Sequence, residues 1–333
     1  MHVLSAMPVK NMKILYALAN HPQLSEMYVE SEIRFAEISG IECAAWSKRP
    51  PGAAYPVSRK VYTGTLEEAE RDFAPDLVHF HWLTLAESHV NEVKAPITVR
   101  GHSFDFKAKR IQDLTNNEKI KALFLFPHQA KAIKSAKVIP LNVGFDSTRY
   151  HLTPNKDRRQ VVRCCAARPS KGLNSFIQIA KLCPDFVFNI CVAEVHGDNK
   201  FVPQLMKDTL DSGVIVRVNV QPPEMAALMC SSGISLHTLD LPQSVGMCIS
   251  VAEGMGCGNY SLTNDVSPLK EMISGVGDTY KTNEQAAKLI NDTKAWDDAK
   301  WDEVHKATES KALEFADFNV FPTLISYWKS ICG

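Results

Sequence analysis

Val161-Val162-Arg163-Cys164-Cys165-Ala166-Ala167-Arg168-Pro169-Ser170-Lys171-Gly172 reads as a buried strand that runs into a short basic turn. A helical pattern, Leu173 to Leu182, follows at once. The order strand, turn, helix leaves free backbone N–H groups and the positive end of a helix dipole at the turn, where an anion is stabilised. Arg168 and Lys171 add two cations there, which suits a diphosphate. Two solvated cations at a domain edge would read the same way on this fragment alone.

The same alternation extends in both directions. Downstream come strand patterns at Phe186–Val192, Val214–Val218, Ile234–Leu236 and Tyr260–Leu262, with helical patterns at Pro222–Cys230 and Ile249–Cys257. Upstream, strands are predicted at Lys13–Ala19, Glu42–Trp46, Leu77–Phe80, Ile97–Arg100, Leu123–Phe126 and Lys137–Ile139, and helices at Glu26–Ile38 and Leu66–Phe73. Strands alternating with helices argue for parallel sheets covered by helices. The polar stretch Leu141–Gln160 separates the two series and predicts a linker. Two Rossmann-like domains follow, at 1–150 and 151–317. The amphipathic, aromatic-rich segment Phe318–Ile331 belongs to a third unit, 318–333, expected to pack on another surface. Residues 1–11 precede a second methionine, Met12, and are assigned no structure.

The 333 residues suit two cores, and 45% hydrophobic with 22% charged residues is ordinary for a globular protein. Formal net charge is zero, which gives a DNA acceptor no support. The charge is uneven, however: residues 1–150 hold 19 Lys and Arg against 16 Asp and Glu, leaving 18 against 21 for the rest. Much of the surplus lies from Arg100 to Lys137, in Lys107, Lys109, Arg110, Lys119, Lys121, Lys131, Lys134 and Lys137. That is either a solvated face or a patch for an anionic acceptor or a peripheral membrane contact. Nine cysteines without a CxxC pair fit reduced, buried thiols and a cytoplasmic location. No apolar stretch approaches the ~20 residues of a membrane span, and the N-terminus has no signal-peptide pattern.

A second stretch carries chemistry: Val245-Gly246-Met247-Cys248-Ile249-Ser250-Val251-Ala252-Glu253-Gly254-Met255-Gly256-Cys257-Gly258. A glycine-containing loop leads into a helix with one carboxylate, Glu253, among apolar neighbours. Such a carboxylate can accept hydrogen bonds from the vicinal hydroxyls of a ribose. The spacing of Gly254, Gly256 and Gly258 does not make a dinucleotide fingerprint, because these glycines fall late in the helix. His79 and His81 share a strand face, but no carboxylate or cysteine joins them at ligand spacing, so no metal site is expected. Trp82 either lines an acceptor cleft or packs at an edge.

Taken in order, six segments resemble the family-four retaining glycosyltransferases (glycosyl transferases group 1). They are Pro22-Gln23-Leu24-Ser25-Glu26-Met27-Tyr28-Val29-Glu30-Ser31-Glu32-Ile33, Asp76-Leu77-Val78-His79-Phe80-His81, His102-Ser103-Phe104-Asp105, Asn142 to Tyr150, Ala167 to Gly172, and Val245 to Gly258. The resemblance implies a GT-B fold: two Rossmann-like domains facing a central cleft, the first for the acceptor and the second for the nucleotide sugar, with a C-terminal helix crossing back to the first. It implies a hexosyltransferase that retains configuration, needs no metal or other cofactor, and takes a UDP- or GDP-sugar to an acceptor hydroxyl on a glycan, a lipid-linked sugar or another molecule. Arg168 and Lys171 would then neutralise the diphosphate, and Glu253 would hold the ribose. Gly246, Met247, Cys248, Ile249 and Ser250 would face the sugar, Ser25 and Glu26 would cover the phosphates, and His102 would lie near the reacting carbon. His81, Trp82 and Asp105 would be on the acceptor side.

The chemistry matches the residue types. Cleaving a sugar–diphosphate bond builds charge on the departing phosphate, and preplaced cations and helix N–H groups stabilise it. No Asp-x-Asp pair is present for a metal-dependent alternative. The family's usual glutamate eight residues before Glu253 is Val245 here, with Gln243 and Asp240 nearby, and Ile190 to Glu194 lacks the usual glycines. These departures leave the donor sugar open. They also keep two competing readings in view, a degenerate nucleotide-sugar-binding protein and a nucleotide-sugar epimerase of the same fold.

Overall fold

The computed structural model describes residues 11–102, 105–195, 200–240 and 246–333. The first sheet contains β1 (Lys13–Asn20), β2 (Glu42–Arg49), β3 (Val61–Tyr62), β4 (Leu77–His81), β5 (Ile97–Arg100), β6 (Ile120–Leu125) and β7 (Val138–Pro140). The second contains β8 (Asp157–Ala166), β9 (Val187–Ala193), β10 (Ile215–Val218), β11 (Ser232–His237), β12 (Tyr260–Asn264) and β13 (Gly277–Tyr280). Their orders are β3-β2-β1-β4-β5-β6-β7 and β10-β9-β8-β11-β12-β13. Neighbouring strands are parallel in both sheets. Each sheet starts in the middle, winds outward and then reverses, which is the doubly wound order. Ligands of such sheets sit beyond the carboxyl ends of the strands at the reversal, here β1/β4 and β8/β11.

Local chemistry accounts for the elements. In β1, Ile14 to Leu18 are almost wholly buried, as expected of a central strand covered on both faces. Thr65 caps the helix Leu66–Phe73 through a reciprocal capping box with Glu68. The polar row Asn155–Arg159 differs from expectation: β8 already begins at Asp157. Its first turn of side chains lies toward solvent, so polar residues extend the strand beyond its buried part. Other elements lacked a clear signal. β13 (Gly-Asp-Thr-Tyr) is an edge strand held by pairing with β12, and β3 has only two residues.

The chain returns to the first sheet at its end. The helix Asp317–Cys332 buries Val320, Phe321, Leu324, Ile325 and Trp328 in the first core. The Trp328 indole N–H donates to Thr98 Oγ1 at 3.1 Å, and its ring lies 5.1 Å from that of His79. The crossing is held at Phe145, whose N–H donates to Phe315 O and whose carbonyl accepts from Asp317 N, each at 3.0 Å. Gly144 is required there, since a Cβ would come within 2.5 Å of the Phe321 ring. No helix among the described residues is long and apolar enough to cross a membrane.

Candidate active site

A cavity of about 660 Å³ lies between the two sheets, at the carboxyl ends of their central strands. Ser25, Glu26, Trp82, His102, Arg168, Lys171, Gly246 to Ser250 and Glu253 all line it, drawn together from both halves of the chain. His81 and Asp105 do not. Ser103, Phe104, Gln243 and Val245 lie outside the described residues, as do residues 1–10.

On the second-sheet wall, β8 ends at Ala166 and Pro169–Lys171 forms one 3-10 turn before the helix Leu173–Lys181. Gly172 makes that turn: its φ is +62° and a Cβ would fall 2.6 Å from the Leu239 backbone. Both Arg168 and Lys171 line the cavity, and neither has an ion pair among the described residues. Glu253, on the helix Ile249–Gly256, is buried. Burial pushes its carboxyl up to about 8, against the opposing influence of Arg149 and of Tyr150. The nearby glycines are packing devices, consistent with their not forming a dinucleotide fingerprint: a Cβ on Gly254 would strike Ser235 Oγ and one on Gly256 the Phe145 ring.

Sequence reasoning missed Arg163. It sits within β8, buried yet lining the cavity, and donates to Cys164 O at 2.8 Å, Thr238 O at 3.2 Å and Ser250 Oγ at 3.3 Å. A charged residue inside an apolar strand run was the available signal. It ties the floor of the sheet to the start of the Glu253 helix.

On the opposite wall, Leu24–Glu26 is a 3-10 turn that opens the helix Met27–Ile38. Burial raises the Glu26 carboxyl to about 8, although Arg168 and Arg49 pull it down. Gln23 spans the two halves, donating from Nε2 to Glu194 O at 2.9 Å and accepting from Gly52 N at 2.7 Å.

His102 lines the cavity with a buried network behind it. Its Nε2 is 3.2 Å from His81 Nδ1, and His81 Nε2 is 3.1 Å from Glu32 Oε1. His79 Nε2 is 3.2 Å from the same oxygen, and Arg100 Nε is 3.6 Å from Glu32 Oε2. The sequence expectation that no carboxylate joins His79 and His81 is therefore corrected: Glu32 joins them from a helix distant in sequence. The three residues could hold a metal ion by proximity. The Arg100 guanidinium already balances the Glu32 carboxylate, while Arg100 Nη1 and His79 Nε2 are buried without a hydrogen-bond partner among the described residues. Burial alone would raise Glu32, but His81 and His79 outweigh it and hold the carboxyl well below the usual range. Burial, with His81 and Arg100 nearby, holds His102 well below the usual imidazole range, hence neutral.

Asp105, expected on the acceptor side, is instead a buried clamp. Its Oδ1 accepts from His102 N at 2.9 Å and its Oδ2 from Leu83 N at 2.5 Å. His81, expected on the same side, lies one layer behind the cavity because β4 directs it inward. In the basic stretch 100–137, Arg110 bonds Glu87 and Asp105 O, and Lys119, Lys121 and Lys137 bond backbone carbonyls.

Two facing doubly wound sheets with a helix crossing back define the GT-B fold. The chain is similar in structure to Anabaena HepE in complex with UDP-glucose, with a TM-score of 0.75 and 15% identity over 96% of this chain and 100% of that one. It is also similar to a glycosyltransferase from Rickettsia africae ESF-5 (0.72, 12%, 97% and 99%) and to sucrose-phosphate synthase from Thermosynechococcus elongatus (0.71, 10%, 96% and 99%). At these identities the likeness establishes the fold. No protein-family model and no curated protein matches the sequence.

Proposed function

We propose that the protein is a retaining, metal-independent glycosyltransferase that moves a sugar from a UDP-sugar to an acceptor hydroxyl, with residues 1–150 binding the acceptor and 151–317 the donor. The observation that carries this reading is the pair of cations, Arg168 and Lys171, without an ion pair among the described residues, at a strand–helix turn that shares one cavity with the buried carboxyl of Glu253. Three structures of like fold support it: a glycosyltransferase, a sucrose-phosphate synthase, and HepE in complex with UDP-glucose.

In this reading the ribose hydroxyls donate to Glu253, and the diphosphate meets Arg168 and Lys171. The amides from Gly246 to Ile249 face the sugar, and the Ser25–Glu26 turn covers the phosphates. The acceptor oxygen attacks the anomeric carbon on the face the phosphate leaves, the carbon–oxygen bond to the phosphate breaks, and the departing phosphate takes the acceptor proton. Arg168, Lys171 and the helix N–H groups stabilise the charge that develops, a role a metal takes elsewhere. His102, neutral and held by His81 and Asp105, lies beside the reacting sugar.

Incubation with UDP-glucose should release glucose slowly without acceptor and persist in excess EDTA. Absence of turnover with intact nucleotide binding would leave a binding protein. Loss of activity in EDTA restored by magnesium would refute metal independence. For a lipid-linked acceptor, the remaining cations of the basic stretch, Lys107, Lys109, Lys131 and Lys134, would touch an anionic membrane, and cosedimentation with anionic vesicles tests that contact.

A further inference from the structure

The charge around the cavity exceeds what a nucleotide sugar needs. In a chain of zero formal net charge, six cations line it (Lys48, Arg49, Arg100, Arg163, Arg168 and Lys171) against two carboxylates, Glu26 and Glu253. Burial pushes both carboxyls up to about 8, so at neutral pH neither offsets much of that charge. Arg100 is matched by Glu32. Arg163, Arg168 and Lys171 belong to the second-sheet wall, where a diphosphate would lie.

Lys48 and Arg49 remain. They end β2 on the opposite wall, are exposed, and have no ion pair among the described residues. Both lie at the carboxyl edge of the first sheet, beside its reversal point, where a doubly wound sheet binds its ligand. A second observation marks the same place. Asn20, in register with Arg49 at the end of β1, lines the cavity with its Oδ1 buried and without a hydrogen-bond partner among the described residues. Such an orphaned acceptor costs free energy unless a ligand donates to it. Trp82, at a positive φ of +77°, also borders the cavity, buried to 5% exposure in the first core with its ring 5.1 Å from that of His102. A non-glycine residue in that region is strained, which is tolerated where a site requires it.

We propose that the acceptor is an anionic sugar derivative whose phosphate or carboxylate is held by Lys48 and Arg49, with a hydroxyl donating to Asn20 Oδ1 and the sugar ring against Trp82. The proposal rests on the transferase reading above and narrows its acceptor class. Two cations converging on one anion give charge-assisted bonds that a neutral sugar cannot make.

The test uses the full chain saturated with UDP and compares glucose 6-phosphate, glucuronate and glucose by calorimetry. The phosphate or the carboxylate probe should bind at least about tenfold tighter than glucose, and rising salt should remove the difference. Which of the two wins identifies the anion. The double variant Lys48→Ala/Arg49→Ala should weaken the anionic probe by about 10- to 100-fold while UDP affinity changes less than about twofold. The single variant Asn20→Ala should weaken all three probes, because its contact is to a hydroxyl. Equal binding of all three probes, or full retention by the double variant, overturns the anionic acceptor and leaves the transferase intact. Failure of UDP to bind at all overturns the transferase reading instead.

Discussion

His81 is stacked on His102, with ring centroids 5.4 Å apart, 24° between planes, and His81 Nδ1 3.2 Å from His102 Nε2. Glu32 Oε1, 3.1 Å from His81 Nε2, is placed to accept a hydrogen bond from Nε2–H, which turns Nδ1 toward His102 Nε2 as its acceptor. The tautomer of the residue at the cavity is thus set two side chains away. His102→Ala should lower kcat, and His81→Phe should lower kcat more than it raises KM for the donor, with a changed pH profile. The two act through one imidazole, so the double variant should be no slower than His102→Ala alone. Additive losses would show that His81 does not act through His102.

The proposed diphosphate site rests on Arg168 and Lys171. Replacing either by Ala should cut turnover roughly 10²–10³-fold, the scale for one charge-stabilising donor. Both side chains face the cavity, so the unfolding midpoint should stay close to that of the unmodified chain. Near-normal rates in both variants would remove this site from consideration.

Glu253 makes a pH-dependent prediction. Its folded-state value of about 8 is above the ordinary carboxyl value, so the folded protein binds the proton more tightly than the unfolded chain. The stability from this group is fully present below about pH 4.5 and declines until pH passes about 8. Glu26 acts in the same direction. Without ligand, Glu253→Gln should therefore flatten the fall in melting temperature between pH 5 and 8. Above about pH 8, where the carboxyl is ionised, the same variant should bind UDP about 10- to 30-fold more weakly, through loss of charge-assisted bonds to the ribose. An unchanged pH slope with unchanged UDP affinity would place the carboxylate outside the site.

Gly172 sets the turn that aims the two cations. Gly172→Ala adds strain at a φ of +62° and a clash 2.6 Å from Leu239 backbone carbon. The expected loss is at least about 1–2 kcal/mol, seen as a lower denaturant midpoint. Donor binding should weaken as well, since the turn must move. Gly40, also at positive φ but with no atom near a Cβ, should show the conformational cost alone, with donor binding unchanged.

Trp328 fastens the terminal helix to the first sheet, where it is fully buried. Trp328→Ala removes its ring contacts with His79 and Tyr16 and its bond to Thr98, at an expected cost of about 3–5 kcal/mol. Chemical denaturation would measure it, and a loss under about 1 kcal/mol would mean that the helix docks without this anchor.

Much of this architecture was legible because its signals are local. Strand-length apolar runs between helical patterns identify two parallel sheets, and a basic turn between a strand and a helix identifies Arg168 and Lys171 from neighbours along the chain. Glu253 stands out as one carboxylate on an apolar helix. The start of β8 was misjudged because a strand that outruns its neighbours carries polar residues like those of a linker. Glu32 with His79 and His81, Arg163 on the cavity floor, and Lys48 and Arg49 with Asn20 were not legible as groups. Their partners come from separate strands and helices, and hydrogen bonds between them leave no period in the sequence. Asp105 shows the limit from the other side: its place beside His102 in the chain suggested a ligand contact, but burial turned its carboxylate onto two backbone N–H groups. The sequence by itself determined the central strands of both sheets, several of the covering helices and the turn that carries Arg168 and Lys171, because periodicity and turn chemistry act between near neighbours. Only the tertiary structure decided which charges face the cavity and which are matched behind it, because burial and ion pairing depend on contacts between residues far apart in the chain.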